Sequence, residues 1–183
     1  MTSLSQTNPQ GVLSFVSVYG AAHFSPDEAM TYRYRLVRDW DGDLPTVNFI
    51  GLNPSTADAL SDDPTVRRLL SFSKRWGFGK LIITNLFAWR ATEPKAMRGS
   101  VDPVGPENDE FIQASSLEAQ QVVVCWGEGG RFHDRWREVA PFLPSMPACF
   151  GTTRSGQPKH PLYLANDSKL EPFLGYTLGE RRG

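Results

Sequence analysis

Three nearly unbroken apolar runs constrain this chain more than any other feature: Val47–Leu52 (VNFIGL), Lys80–Phe87 (KLIITNLF) and Val122–Trp126 (VVVCW). A strand that is apolar on both faces must be covered on both, and the segments between these runs have helical spacing. Pro64–Trp76 places Val66, Leu69, Leu70 and Phe72 on one stripe. Asp62 or Asp63 is positioned to cap it, Pro64 suits its first turn, and Gly77 and Gly79 end it. Asn108–Gln120 and Phe132–Leu143 also read as helices, and Ala148–Gly151 as a short fourth strand. Strands alternating with helices predict an α/β three-layer sandwich with a mostly parallel central sheet. Upstream, Val12–Tyr19 and Tyr32–Trp40 alternate as half-buried strands do. The turn Asp41–Pro45 makes the second of them one arm of a hairpin or meander. Met1–Gly11 reads as a frayed polar leader and Asn166–Gly183 as a weakly patterned tail. No repeat or linker divides the 183 residues, so a single domain is expected.

With 40% hydrophobic and 21% charged residues, a largely disordered chain is excluded. A net charge of −1 excludes a polybasic binder but leaves room for a local basic rim around a cleft. Cys125 and Cys149 lie in separate apolar runs without CxxC spacing, so they read as buried free thiols. No stretch approaches the ~20 apolar residues of a membrane span, and the start does not resemble a signal peptide, so a cytoplasmic location without membrane contact is expected. His23, His133 and His160 show no ligand spacing, and no metal is expected. Phosphate-loop, dinucleotide-loop and serine-elbow motifs are absent.

In open α/β sheets, ligands bind beyond the carboxyl ends of the strands. Here those ends run into GLNPSTAD, TNLFAWR, WGEGG and GTTRSGQPKHPLYL. In the first, Gly51, Leu52, Asn53, Pro54 and Ser55 form a proline-fixed loop whose carboxamide can orient a water or a ligand edge. Asn85, set in an apolar strand, can read a base edge in bidentate fashion, and Phe87 and Trp89 can offer a stacking face. His160 can donate to an anion. Arg67, Arg68, Arg90, Arg154 and Lys159 are candidate phosphate contacts. Each has a plainer reading: a turn and cap for Asn53–Thr56, a structural bridge for Asn85, an exposed or bracing ring for His160, core packing for Phe87 and Trp89, and a solvated helix face for Arg67, Lys74 and Arg75. Asp58, Asp62 and Asp63 can hold Mg²⁺ or, more simply, cap a helix.

Taken together, YRYRLVRDW, GLNPSTAD, DDPTVRRLLSFSKRWGFG, TNLFAWRAT, DPVGPEND, WGEGG and GQPKHPLYL resemble an uncharacterised bacterial and phage family of unknown function, over about Tyr32 to Leu164. The order of segments is also similar to that of the uracil-DNA glycosylase superfamily. GLNP resembles the water-positioning motif of its mismatch-specific branch, which implies that role for Asn53. TNLFAWRATEP resembles the segment of the iron–sulfur branch whose asparagine bonds the flipped base, which implies that role for Asn85. HPLYL resembles the His-Pro motif that stabilises the departing base, which implies that role for His160. The cluster-ligating cysteines of that branch are absent, so no cofactor is expected. His160 is followed by Pro-Leu rather than Pro-Ser, and no aromatic partner for the base is evident between Asp58 and Trp76. The resemblance implies a DNA glycosylase acting on a damaged or modified base, with DNA as partner and no obligate protein partner. The alternatives are a nucleotide- or base-modifying enzyme on the same scaffold and a non-catalytic nucleic-acid-binding module.

Overall fold

A computed structural model describes residues 4–7, 11–17, 20–143 and 146–175. Among these residues nine strands form one sheet: β1 (Leu4–Thr7), β2 (Leu13–Ser17), β3 (Gly20–Phe24), β4 (Arg33–Asp39), β5 (Thr46–Gly51), β6 (Lys80–Asn85), β7 (Gln121–Val124), β8 (Ala148–Cys149) and β9 (Glu171–Pro172). Their order is β1-β2-β3-β4-β6-β5-β7-β8-β9. The helices are α1 (Pro64–Arg75), α2 (Pro94–Arg98), α3 (Asn108–Glu118) and α4 (Arg135–Val139).

The expected mixture of strands and helices is present, but the mostly parallel sheet is not. Only β6, β5, β7 and β8 run parallel; every other pairing is antiparallel. The reason lies upstream of the apolar runs, where short connections between β1, β2, β3 and β4 allow a meander, whereas parallel neighbours need long crossovers. The turn after β4 closes no hairpin with β5, because β6 lies between them. Part of the expected polar leader is β1, and Gly20–Phe24, which carried no strand expectation, is β3. The helix expected over Phe132–Leu143 is broken. A 3-10 segment, Gly127–Asp134, precedes α4, with His133 and Asp134 at φ +55° and +50°, and another 3-10 turn, Ala140–Phe142, follows it. The end of the weakly patterned tail, residues 176–183, lies outside the described residues.

Alternation along the central strands sends side chains to two cores. Val47, Phe49, Leu81, Ile83, Val123 and Cys125 pack with Val66, Leu69 and Phe72 of α1. Ile50, Val122 and Val124 pack with Ile112 of α3 and Val139 of α4 on the other face. Rings of Phe72, Trp76 and Phe150, with centroids 4.9–5.5 Å apart, clamp α1 to the sheet. The Asp63 carboxylate accepts from Val66 N–H at 2.9 Å, so Asp63 is the cap of α1 and Pro64 its first residue. The last turn carries Lys74 and Arg75, which suit a helix C-terminus, and Gly77 at φ +80° turns the chain away. Cys125 and Cys149 are buried and free, as expected. Among the described residues no helix is long and apolar enough to cross a membrane.

A bulge in β4 decides which side chains of this strand face α1. His23 pairs with Arg35 and Phe24 with Arg33, so Tyr34 is an extra residue on that strand. Tyr34 stacks on Phe111 of α3 at 5.2 Å, and Arg35 reaches Glu118 at the end of the same helix. Leu36 and Phe24 belong to the α1-side core. The extra residue therefore turns Arg33 to the α1 side, away from Arg35.

The meander also carries a built-in acid sensitivity. His23 lies against Ser14 (Oγ to Nδ1 2.9 Å) and Phe111, facing Arg35 and Glu118. Burial, and next the Arg35 guanidinium, lower its pKa from 6.5 to about 4, while Glu118 acts in the opposite direction. The unfolded chain binds this proton first as pH falls. Stability is thus full above about pH 6.5 and is lost toward pH 4, by about 2 kcal/mol after allowing for partial solvent screening. Urea unfolding at pH 7 and pH 4.5 should show this drop, and His23→Phe should make it smaller, leaving the part that His160 contributes.

Candidate active site

The loops leaving β5, β6 and β7 are tied to one another before they meet any ligand. Leu86 N–H and Phe87 N–H donate to the Gly51 and Leu52 carbonyls (2.9 and 3.0 Å), and Ala91 N–H donates to the Pro54 carbonyl at 2.9 Å. From the other face, the Asn108 amide donates to the Asn85 and Leu86 carbonyls, and Arg135 Nε donates to the Leu86 carbonyl. The end of β6 is held on both sides.

These loops, the first turn of α1 and the 3-10 turn Pro161–Tyr163 enclose a cavity of about 490 Å³, within the range of small-molecule sites, about 300–1,000 Å³. Asn53 from the loop after β5, Asn85 at the end of β6 and His160 from the long loop after β8 all line it. Gly51, Leu52 and Ser55 line it as well.

Asn85 is 4% exposed, and among the described residues its side chain has no hydrogen-bond partner; its Nδ2 is buried. A Cβ added to Gly51 would lie 2.8 Å from Asn85 Oδ1, so this glycine makes room for the amide. The structural-bridge reading of Asn85 is therefore not met within the protein. An unpaired buried amide costs about 1–3 kcal/mol, which a bound polar edge would recover.

Asn53 differs. Its Nδ2 donates to the Ala91 carbonyl at 2.8 Å and to the Pro54 carbonyl at 3.2 Å, bracing two loops. That fixes the amide plane and leaves Oδ1 as the acceptor for a water or ligand. His160 caps the Pro161–Tyr163 turn: its Nδ1 accepts from Leu162 N–H at 3.3 Å. The hydrogen of the neutral ring then sits on Nε2. Burial lowers the His160 pKa below its usual 6.5 and nearby Asp63 only partly opposes this, so the ring is a neutral donor at pH 7. Gly127, at φ +66°, adopts a backbone that favours glycine and lies against the His160 Cβ.

Other candidates fall elsewhere. Phe87 is fully buried in the α3-side core against Phe132, because the end of β6 aims it to that face, so it cannot stack on a ligand. Trp89 packs at right angles to Tyr32 and lines, with Arg90, an adjoining groove that shares Ser55, Thr56, Ala91 and Thr92 with the cavity. Pro54 is buried behind its loop. Three of the proposed phosphate contacts also donate within the protein: Arg67 to the Asp62 carbonyl, Arg68 to Asn166 and the Leu164 carbonyl, and Arg90 to the Met30 carbonyl, with the Nε of Arg68 and Arg90 buried without a partner among the described residues. Arg154 and Lys159 are exposed. Asp63 caps α1, Asp62 pairs with Arg38, and Asp58 accepts from Leu60 and Ser61 N–H, consistent with capping and turn roles. Among the described residues no group of three or more His, Cys, Asp and Glu is placed to hold a metal.

The cavity also contains residues that sequence reasoning missed. Arg33 is one. Trp126, held by its indole N–H on Gln157 at 2.9 Å, forms part of the wall. Tyr163, 89% exposed, stands at the rim three residues after His160. The one signal for Tyr163 was its place in HPLYL; Arg33 gave none, because the bulge that aims it leaves no mark in the alternation of YRYRLVRD.

A family model described as "Protein of unknown function (DUF1643)" matches residues 33–162, well over half of the chain. The chain belongs to the DUF1643 family. No curated protein and no solved structure matches it. The DUF1643 span runs from Arg33 to Leu162 and so includes Arg33, Asn53, Asn85, Trp126 and His160 of the cavity, but not Tyr163.

Proposed function

We propose that this DUF1643 protein hydrolyses the N-glycosidic bond of a damaged or modified base in DNA. The observation that carries the reading is the unpartnered Asn85 carboxamide, buried in the same cavity as the His160 imidazole and the Asn53 amide. A carboxamide with both ends free suits the donor–acceptor edge of a base. As the glycosidic bond breaks, its electrons pass to the base, and a neutral Nε2–H donor stabilises that charge. Asn53 Oδ1, held by the braced amide, accepts a hydrogen bond from the water that adds to the sugar. The amide takes no proton, so the water's proton leaves to solvent and the released base is protonated in turn. Tyr163 at the rim offers an exposed aromatic face for a base drawn out of its stack. The likeness of GLNP, TNLFAWR and HPLYL to uracil-DNA glycosylase motifs, and the helices on both faces of the sheet, agree with this reading.

A second reading, an enzyme acting on free nucleotides in the same cavity, is favoured by one observation. Arg68 is held twice within the protein, by Asn166 and by the Leu164 carbonyl, leaving one cation fewer for a DNA backbone. DNAs carrying normal and hypermodified bases, incubated with purified protein and assayed for released base by mass spectrometry, separate the two. Base release lost on Asn53→Ala and His160→Ala supports the glycosylase; turnover of mononucleotides alone supports the second reading. DNA binding without any product would leave a non-catalytic module and sink both.

A further inference from the structure

The least expected side chain in the cavity is Arg33. It is 3% exposed and, among the described residues, makes no ion pair within 4 Å. Its Nη1 donates to the Ala57 carbonyl at 2.6 Å, while its Nε is buried without a partner. A guanidinium has five donors, and a buried cation is normally paired. Asp63 and Asp58 are the acidic groups that act on it, opposed by Arg90 and Arg38. One Asp63 oxygen is committed to the cap of α1, and Asp58 to its own turn. Pro64, Thr65 and Val66, the first turn of the twelve-residue α1, line the cavity too, beside the Asp63 carboxylate that caps the turn and takes the Val66 N–H. A helix N-terminus favours negative charge there.

We infer that the Arg33 guanidinium, with the first turn of α1, binds a phosphate of the ligand whose base the Asn85 end receives. The inference rests on the proposed reading for its base and adds the anion. The volume agrees: at about 30 Å³ per water, 490 Å³ is the space of roughly sixteen waters, more than the ring and exocyclic atoms of one pyrimidine need. The phosphate comes either from a free nucleotide or from the strand flanking a flipped base; the chemistry of recognition is the same.

The test is calorimetric titration of the full chain with a panel of normal and modified deoxynucleosides, their 5′-monophosphates and inorganic phosphate. Oligonucleotides carrying the same bases, with a native or a neutral methylphosphonate linkage beside the base, complete the panel. In the wild type, monophosphates are expected to bind roughly 10- to 100-fold tighter than nucleosides, or native oligonucleotides that much tighter than methylphosphonates. The first result assigns a free nucleotide, the second a DNA strand. In Arg33→Met the ratio falls to about one, and in Arg33→Lys it is partly kept. Equal wild-type binding of charged and uncharged partners overturns the phosphate assignment even if no variant folds, and leaves the base reading intact. A ratio unchanged in Arg33→Met also overturns it. Competition by inorganic phosphate with no contribution from any base upholds Arg33 and overturns the base reading; no binding by any probe overturns both.

Discussion

Asn85→Leu is expected to abolish base recognition while leaving the protein as stable as the wild type, or more so. In most proteins a buried asparagine braces backbone, and its loss destabilises. Here no protein group takes up the amide, and leucine has nearly the same shape without the desolvation cost. Relief of that cost amounts to about 1–3 kcal/mol before any strain from the added branch, which in a chain of this length is a rise of roughly 2–10 °C in Tm. Ligand affinity moves the other way, because a pocket that hydrogen-bonds a polar edge discriminates strongly against its loss. Thermal melts with and without ligand check both parts. A marked drop in Tm for the unliganded variant would show Asn85 to be a brace and would remove the main support for the functional reading. Gains in stability at the expense of activity are the ordinary signature of residues kept for binding.

His160→Ala should lower the turnover rate by about 10²–10³-fold while substrate affinity changes little, since one donor aimed at developing charge is worth about 2.7–4 kcal/mol in the transition state and much less before it. The Nε2–H is fixed by the bond that Nδ1 accepts from Leu162, so the variant also loses the cap of a short turn. Single-turnover kinetics separate the two effects: a loose turn raises KM, whereas a missing donor lowers the rate at saturation. The pH profile gives an independent readout. Because burial holds the His160 pKa below 6.5, the wild-type rate should stay level through pH 7 and fall only at more acidic values, where a proton on Nδ1 breaks the cap. A rate of His160→Ala within a few-fold of wild type would remove this residue from the chemistry.

Much of the α/β half was legible. Apolar runs marked β5, β6 and β7, the Asp63–Pro64 pair marked the start of α1, and the polar strand ends located the loops that form the cavity. Asn85 was visible as a polar residue inside an apolar strand, and Asn53 and His160 as polar residues each fixed by a following proline in a loop. The antiparallel meander was only half visible: GAAHF is too short and too small to announce a strand, and nothing local says that β4 pairs with β6. Phe87 and Trp89 show the limit from the other side. Their aromatic character fits stacking and core equally, and only the face of the sheet decides. Arg33 was hidden for a topological reason, since a pairing defect with another strand determines its direction.

That defect also governs how this molecule tolerates change. A regular register, with Tyr34 rather than Arg33 opposite Phe24, would exchange the destinations of a phenol and a cation, lodging charge beside Phe111 and an aromatic ring where the guanidinium now sits. Register is therefore under constraint in this stretch as strictly as composition. A β4 that paired without the irregularity could keep its hydrogen-bonded ladder and still lose the property for which the strand is spaced as it is.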